Sequence, residues 1–328
     1  VARLLSPSSG SMTPAVAMIL GSCVSLQFGA ALAAQLFPAL GSWGVTALRL
    51  GLAGIVLLLL VRPAVHRWHR SQWSAVLLFG LSLGAMNGSF YASISRIPLG
   101  TAVAIEFLGP LVLSAILSRR LADLACVALA LAGVSLFGVE SSLGLSALDP
   151  IGVMWALAAG VFWACYVLAS AHVGTKVPGQ GGLAVSVAIG ALLLMPLGAH
   201  GVIGALEEPR FLLLALGTAL LASVIPYTLE LSALRRLPRH VFSILLSLEP
   251  AIAMLAGLVL LAQPISAFGL AAVAFVIAAS IGTTLAERRR QRGRTEDRFA
   301  EAGGAAVVSA EYVAEVLETD ALREADRV

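Results

Sequence analysis

Ser93-Ile94-Ser95-Arg96-Ile97-Pro98 leads into an apolar run that contains Pro110, and Ala233-Leu234-Arg235-Arg236-Leu237-Pro238 leads into another that contains Pro250. Arg96 and Arg236, Pro98 and Pro238, and Pro110 and Pro250 are each 140 residues apart. One plan is therefore written twice in the chain. Around these stretches, ten apolar runs with short polar punctuation cover 14–36, 43–61, 73–94, 99–118, 122–139, 150–170, 182–198, 210–231, 239–261 and 265–286. Each half of the plan holds five runs. An odd count turns the second half over relative to the first, the arrangement of transporters with a central site between inverted repeats.

The composition agrees. The 328 residues are 59% hydrophobic and 12% charged, with a mean hydropathy of +0.94. A soluble domain is about 45–50% apolar and about 25% charged. A spanning helix needs about 20 apolar residues, and only helices or closed barrels satisfy the backbone in hydrocarbon. Barrel strands are alternating segments of about ten residues, which these continuous runs are not. The expected fold is an all-α integral membrane bundle of ten transmembrane helices in two inverted five-helix repeats. Residues 1–13 read as a leader, 14–139 as the first repeat, 150–286 as the second, and 287–328 as a polar cytoplasmic tail, expected to be disordered.

Charge sets the expected orientation. With the N-terminus inside, the inner loops carry Arg62, Arg67, Arg70, Arg119, Arg120, Lys176, Arg235, Arg236 and Arg239, and the tail opens with Arg288, Arg289 and Arg290. The outer loops hold Arg96 and Arg210 beside Glu140, Asp149, Glu207 and Glu208. Excess Arg and Lys marks the cytoplasmic side, so both termini are expected there. The basic residues form no groove-lining patch, which argues against a nucleic-acid partner. Cys23, Cys126 and Cys165 lie in apolar runs without metal-ligand spacing, and read as small buried residues rather than ligands.

Four ionisable residues fall inside spans: Arg49, Glu106, Glu230 and Glu249. Each costs on the order of 3 kcal/mol facing lipid, so each should face the bundle interior. At 1.5 Å per residue, Arg49 and Glu106 sit roughly 9–10 Å below the outer surface. They can meet as a structural ion pair if their helices are neighbours. Glu249 falls near mid-membrane. Glu230 lies toward the inner end, where Arg235 or Arg236 could pair with it. Proline frees the carbonyl four residues earlier: Glu106 for Pro110, Ala222 for Pro226 and Leu246 for Pro250. Such carbonyls are tolerated at depth only beside protein or water that satisfies them. Carboxylates and free acceptors together suit an ammonium group or a proton. Gln27, Asn87, Tyr91, Trp163, Tyr166 and Tyr227 are further candidates for lining the path, Tyr91 and Tyr227 as hydroxyl donors. Gly80, Gly84 and Gly88 form a smooth stripe for close helix approach.

No Gly-x-Ser-x-Gly elbow, His-Glu-x-x-His pair or phosphate-binding Gly-Lys-Ser/Thr loop occurs, so no enzymatic or ATP-driven chemistry is expected. No cofactor and no metal is implied.

The chain resembles the EamA branch of the drug/metabolite transporter superfamily, and within it the threonine/homoserine exporters. The stretches that carry the resemblance are Gly44-Val45-Thr46-Ala47-Leu48-Arg49-Leu50, Pro98-Leu99-Gly100 running to Ala104-Ile105-Glu106-Phe107-Leu108-Gly109-Pro110, and Ser118-Arg119-Arg120. In the second half they are Pro226-Tyr227-Thr228-Leu229-Glu230, Arg236-Leu237-Pro238 and Ser247-Leu248-Glu249-Pro250. The resemblance spans roughly residues 14–286. It implies export of small amino acids across the bacterial inner membrane in exchange for protons. Where EamA repeats often carry a Gly-Glu pair, this chain has Ser118-Arg119-Arg120 and Ala262-Gln263-Pro264, and no role is carried over there. The expected binding residues are Arg49, Glu106, Tyr91, Tyr227 and Glu249, with Glu106, Glu249 and Glu230 as candidates for proton coupling. The expected partners are the amino acid, protons and the lipid bilayer, with room for a homodimer. Export of another metabolite or drug, or a non-transporting scaffold or sensor, are the competing readings.

Overall fold

The computed structural model describes residues 12–118, 120–144, 148–177, 179–234, 236–237 and 239–288. The expected leader and tail lie almost wholly outside these residues. Residues up to Thr283 form one compact unit, and a second begins at Thr284.

Ten apolar helices account for the described residues: α1 Met12–Ala34, α2 Phe37–Val61, α3 Arg70–Ile94, α4 Leu99–Ser118, α5 Leu121–Ser142, α6 Pro150–Lys176, α7 Gly181–Glu207, α8 Pro209–Glu230, α9 Val241–Leu261 and α10 Ala267–Arg288. All ten are long and apolar enough to cross a membrane. The sequence reading placed every one of them. It ended α7 at residue 198. The helix instead runs through Pro196 to Glu207. The reason is packing: Gly198 and Gly201 lie against the Leu40–Gly44 turn of α2, where any Cβ would collide with backbone. Glu140, read as a loop acid, is instead buried in the last turn of α5. Cys165 is exposed rather than buried.

Glycine sets the closest helix crossings. The stripe Gly80, Gly84 and Gly88 on α3 meets Ile189, Gly190 and Leu194 of α7, with Trp43 over Gly88. Gly109 of α4 and Gly160 of α6 touch backbone to backbone. The packing pairs follow a rule. α1 packs on α8 as α6 packs on α3, α1 on α9 as α6 on α4, and α2 on α8 as α7 on α3, while α2–α7 and α4–α9 pair with each other. Adding five to each helix number exchanges the pairs.

Three helices are interrupted beside the prolines that the sequence singled out. α4 breaks at Phe107, between Leu99–Glu106 and Leu108–Ser118. α8 contains a π-helical turn at Leu220–Val224, immediately before Pro226. α9 breaks between Arg239–Leu246 and Glu249–Leu261. A proline in a helix interior removes one hydrogen bond and crowds the preceding turn, and π-turns of this kind recur at functional sites. The first half of α4 packs on the second half of α9, while Leu108–Ser118 and Arg239–Leu246 make no comparable packing among the described residues. The two broken helices are thus joined at one end and apart at the other.

Candidate functional site

The interruptions surround one cavity of about 420 Å³. Arg49, Tyr91, Glu106, Tyr227, Glu230 and Glu249 all line it, together with Gln27, Asn87, Trp163 and Tyr166. Every binding and proton-coupling candidate from the sequence therefore meets in one place, and so does Pro226. Pro110 and Pro250 do not line the cavity; they act through the breaks they impose.

Arg49 is 1% exposed. Its Nη1 donates to the Ala222 carbonyl at 3.0 Å and to Ser223 Oγ at 3.1 Å, and its Nη2 donates to Asn87 Oδ1. Ala222 is the residue whose carbonyl Pro226 leaves free, so a guanidinium fills the vacancy that the proline creates. Asn87 is oriented by donating from Nδ2 to the Leu83 carbonyl at 2.8 Å. The Tyr91 ring lies under the guanidinium, 4.6 Å from its carbon, and Phe37 and Phe90 hold that ring edge-on. Arg49 and Glu106 make no ion pair among the described residues. They face one cavity from different helices, and the cation is held by neutral groups instead.

The three carboxylates stand apart from that cation. Glu106 and Glu249 are 8% and 7% exposed and have no protein hydrogen-bond partner among the described residues. Glu230 accepts a hydrogen bond from Ser22 Oγ at 2.7 Å. It makes no ion pair with Arg236, and Arg235 lies outside the described residues. Glu249 lines the same cavity as Glu106 and Glu230. Tyr227 lines the same cavity as Arg49 and Glu230. With all groups ionised the cavity carries three negative charges and one positive, so it favours a ligand bearing a cation.

Among the described residues, three buried polar atoms lack any partner: Gln27 Oε1, Arg49 Nε and Tyr91 Oη. All three residues line the cavity. An unpaired buried polar group costs about 1–3 kcal/mol, and all three belong to residues in the wall of one cavity. Two can donate and one accepts. Gln27 was legible only as one polar residue in an apolar span; its unpaired oxygen was not.

The comparisons agree with this architecture. The EamA-like transporter family matches residues 150–285. The threonine/homoserine exporter RhtA of Salmonella typhimurium strain LT2 is 39% identical over 282 residues, covering 86% of this chain and 95% of that protein. The RhtA exporter of Escherichia coli K12 is 39% identical over 277 residues, covering 84% and 93%. A crystal structure 22% identical to this chain, covering 83% of it and 98% of the solved chain with a TM-score of 0.56, shares the fold. The similarity to exporters runs through nearly the whole bundle, including both halves of the cavity, and the chain is a multi-pass membrane protein of the EamA-like transporter family.

Proposed function

We propose that the chain exports small hydroxylated amino acids, threonine and homoserine foremost, across the bacterial inner membrane in exchange for protons. The observation that carries this reading is the set of unpaired atoms around a cavity with separated charge. The substrate carboxylate meets Arg49 Nε and the Tyr91 hydroxyl. Its ammonium group meets Glu106 or Glu249. Its side-chain hydroxyl donates to Gln27 Oε1. The names of the relatives support the choice of amino acids.

Coupling follows from the carboxylates. Glu106, Glu230 and Glu249 repel one another when all are charged, and one positive charge relieves that repulsion. A proton and an ammonium group therefore compete for the same place, and that competition is antiport. The halves 14–139 and 150–286 act as inverted repeats, a reading supported by helix contacts that exchange when five is added to each number. The inner loops carry the excess of Arg, which supports both termini being cytoplasmic. In that orientation the cavity lies open on the cytoplasmic side, where the halves of α4 and α9 part, and is closed on the other.

A substrate comparison tests this. 2-Aminobutyrate is the deoxy analogue of both threonine and homoserine. A site built to bond a hydroxyl rejects the analogue lacking it, because its own buried acceptor stays unpaired. Wild-type protein is expected to bind threonine on the order of 10–100-fold more tightly than 2-aminobutyrate, from the 1–3 kcal/mol of one unpaired group. Gln27→Leu should reduce that ratio to within about threefold, chiefly by weakening threonine. An unchanged ratio in Gln27→Leu, measured by equilibrium binding to purified protein, would remove Gln27 from recognition. Equal binding of the two ligands by the wild type would count against a hydroxylated substrate.

A further inference from the structure

A second cavity, of about 210 Å³, lies beside α4 and α9 and shares no lining residue with the first. It is far larger than the roughly 10–15 Å³ that a single water needs. Thr101, Glu140, Met254, Gln263 and Ser266 are among its walls. Its position relative to the central cavity is set by helix geometry. From Glu106 to Thr101 on α4, and from Glu249 to Met254 on α9, is five residues, about 7–8 Å along each axis at 1.5 Å per residue. The two helices run antiparallel there, so both steps lead in the same direction, away from the end where their other halves part. At the second cavity the helices close on each other: a Cβ at Gly100 would lie 2.9 Å from the Cα of Met254. Gln263 fastens the same crossing, its Oε1 accepting from the Leu99 backbone N–H at 3.0 Å.

Glu140 is the charged group of this cavity. It is 6% exposed, and no hydrogen bond or ion pair engages its carboxylate among the described residues. Arg96, on the turn before α4, pairs with Asp149 at 2.9 Å. Gln263 and Ser266 can donate. Gln263 has spent its oxygen on Leu99, leaving its NH2 group. Ser266 Oγ accepts from the Gly269 N–H at 2.9 Å and keeps its hydrogen to give. A carboxylate for a cation and donors for an anion in one cavity repeat the pattern of the central site with smaller means.

We propose that this cavity is a second station for cargo, in which Glu140 takes the ammonium group of the amino acid while Gln263 and Ser266 face its carboxylate. The proposal rests on the amino-acid reading given above for the central cavity. Parting of α4 from α9 between Glu106 and Thr101 would connect the two stations. Glu140 is then a binding residue that holds cargo in the second cavity.

Carbodiimide labelling of the purified full-length protein tests this, because the reagent attacks buried carboxyl groups reachable from a cavity and peptide mass spectrometry locates the adduct. Glu140 should be labelled, and both threonine and methylammonium should protect it by at least about fivefold. Protection at Glu140 by threonine should persist in Arg49→Ala, where the central cavity has lost its carboxylate partner. A Glu140 that takes no label, or that neither ligand protects, overturns the proposal, whatever happens at Glu106 and Glu249. Protection of Glu140 by methylammonium with no protection of any carboxylate by threonine keeps the cation site and rejects the amino-acid reading instead.

Discussion

Arg49→Ala is expected to abolish pH-driven threonine efflux while leaving folded protein in the membrane. The guanidinium is wholly buried and bonded to Ala222, Ser223 and Asn87, yet its Nε has no partner among the described residues. Hydrogen bonds to charged groups are each worth about 1.5–3 kcal/mol. A substrate carboxylate that loses its ionic partner should therefore lose about 3 kcal/mol, which is at least about 100-fold in rate or affinity. The same substitution frees the Ala222 carbonyl that Pro226 cannot occupy, so some stability goes too, about 1–3 kcal/mol. Glu106→Gln should also abolish gradient-driven efflux, because the amide keeps the shape but cannot exchange a proton. Flux in vesicles, with the unfolding temperature of the same preparations, separates the two effects. Transport within threefold of wild type by both variants contradicts the assignment.

Gly109→Val is expected to be the most destabilising single change in the bundle. The break at Phe107 brings the backbone of α4 onto α6, and a Cβ at Gly109 would fall on the carbonyl group of Gly160. Backbone cannot step aside as a side chain can, so the helices must separate. Forced overpacking typically costs 1–3 kcal/mol and occasionally more, and a clash with main chain belongs at or beyond about 3 kcal/mol. Gly138, on α5, is the matched control, since nothing lies within 4 Å of a Cβ placed there. Gly138→Ala should raise stability by roughly 0.5–1 kcal/mol, the helix-interior penalty of glycine. Thermal unfolding of both variants in detergent measures the contrast. Similar stability in the two variants contradicts the crossing as described.

Much of this was legible because the membrane imposes simple rules. Ten runs of sufficient length could only be helices, and buried charge could only face inward, so the convergence of Arg49, Glu106, Glu230 and Glu249 on one cavity follows from solvation alone. The prolines were legible for a local reason, since each names the carbonyl it frees, and at Ala222 the structure supplies the donor. Partner choice was not legible. Arg49 looked ready to pair with Glu106, but which groups meet depends on how helices rotate, and Asn87 with Ser223 reached it instead. Glu140 was missed because its position after an apolar run reads as a loop. Only packing shows that α5 continues for another turn and buries it. Gln263 stood out merely as a departure from the family pattern. Its part in closing α4 onto α9 needs the 3.0 Å contact with Leu99.

The most direct test of the central claim is flux through the purified chain alone, reconstituted in sealed liposomes. Labelled threonine and homoserine would be followed with and without an imposed pH gradient. Movement of both amino acids driven by the gradient, against their own concentration difference and collapsed by a protonophore, is the predicted result. Threonine flux that is absent, or that is present but indifferent to the gradient and to the protonophore, would contradict proton-coupled export.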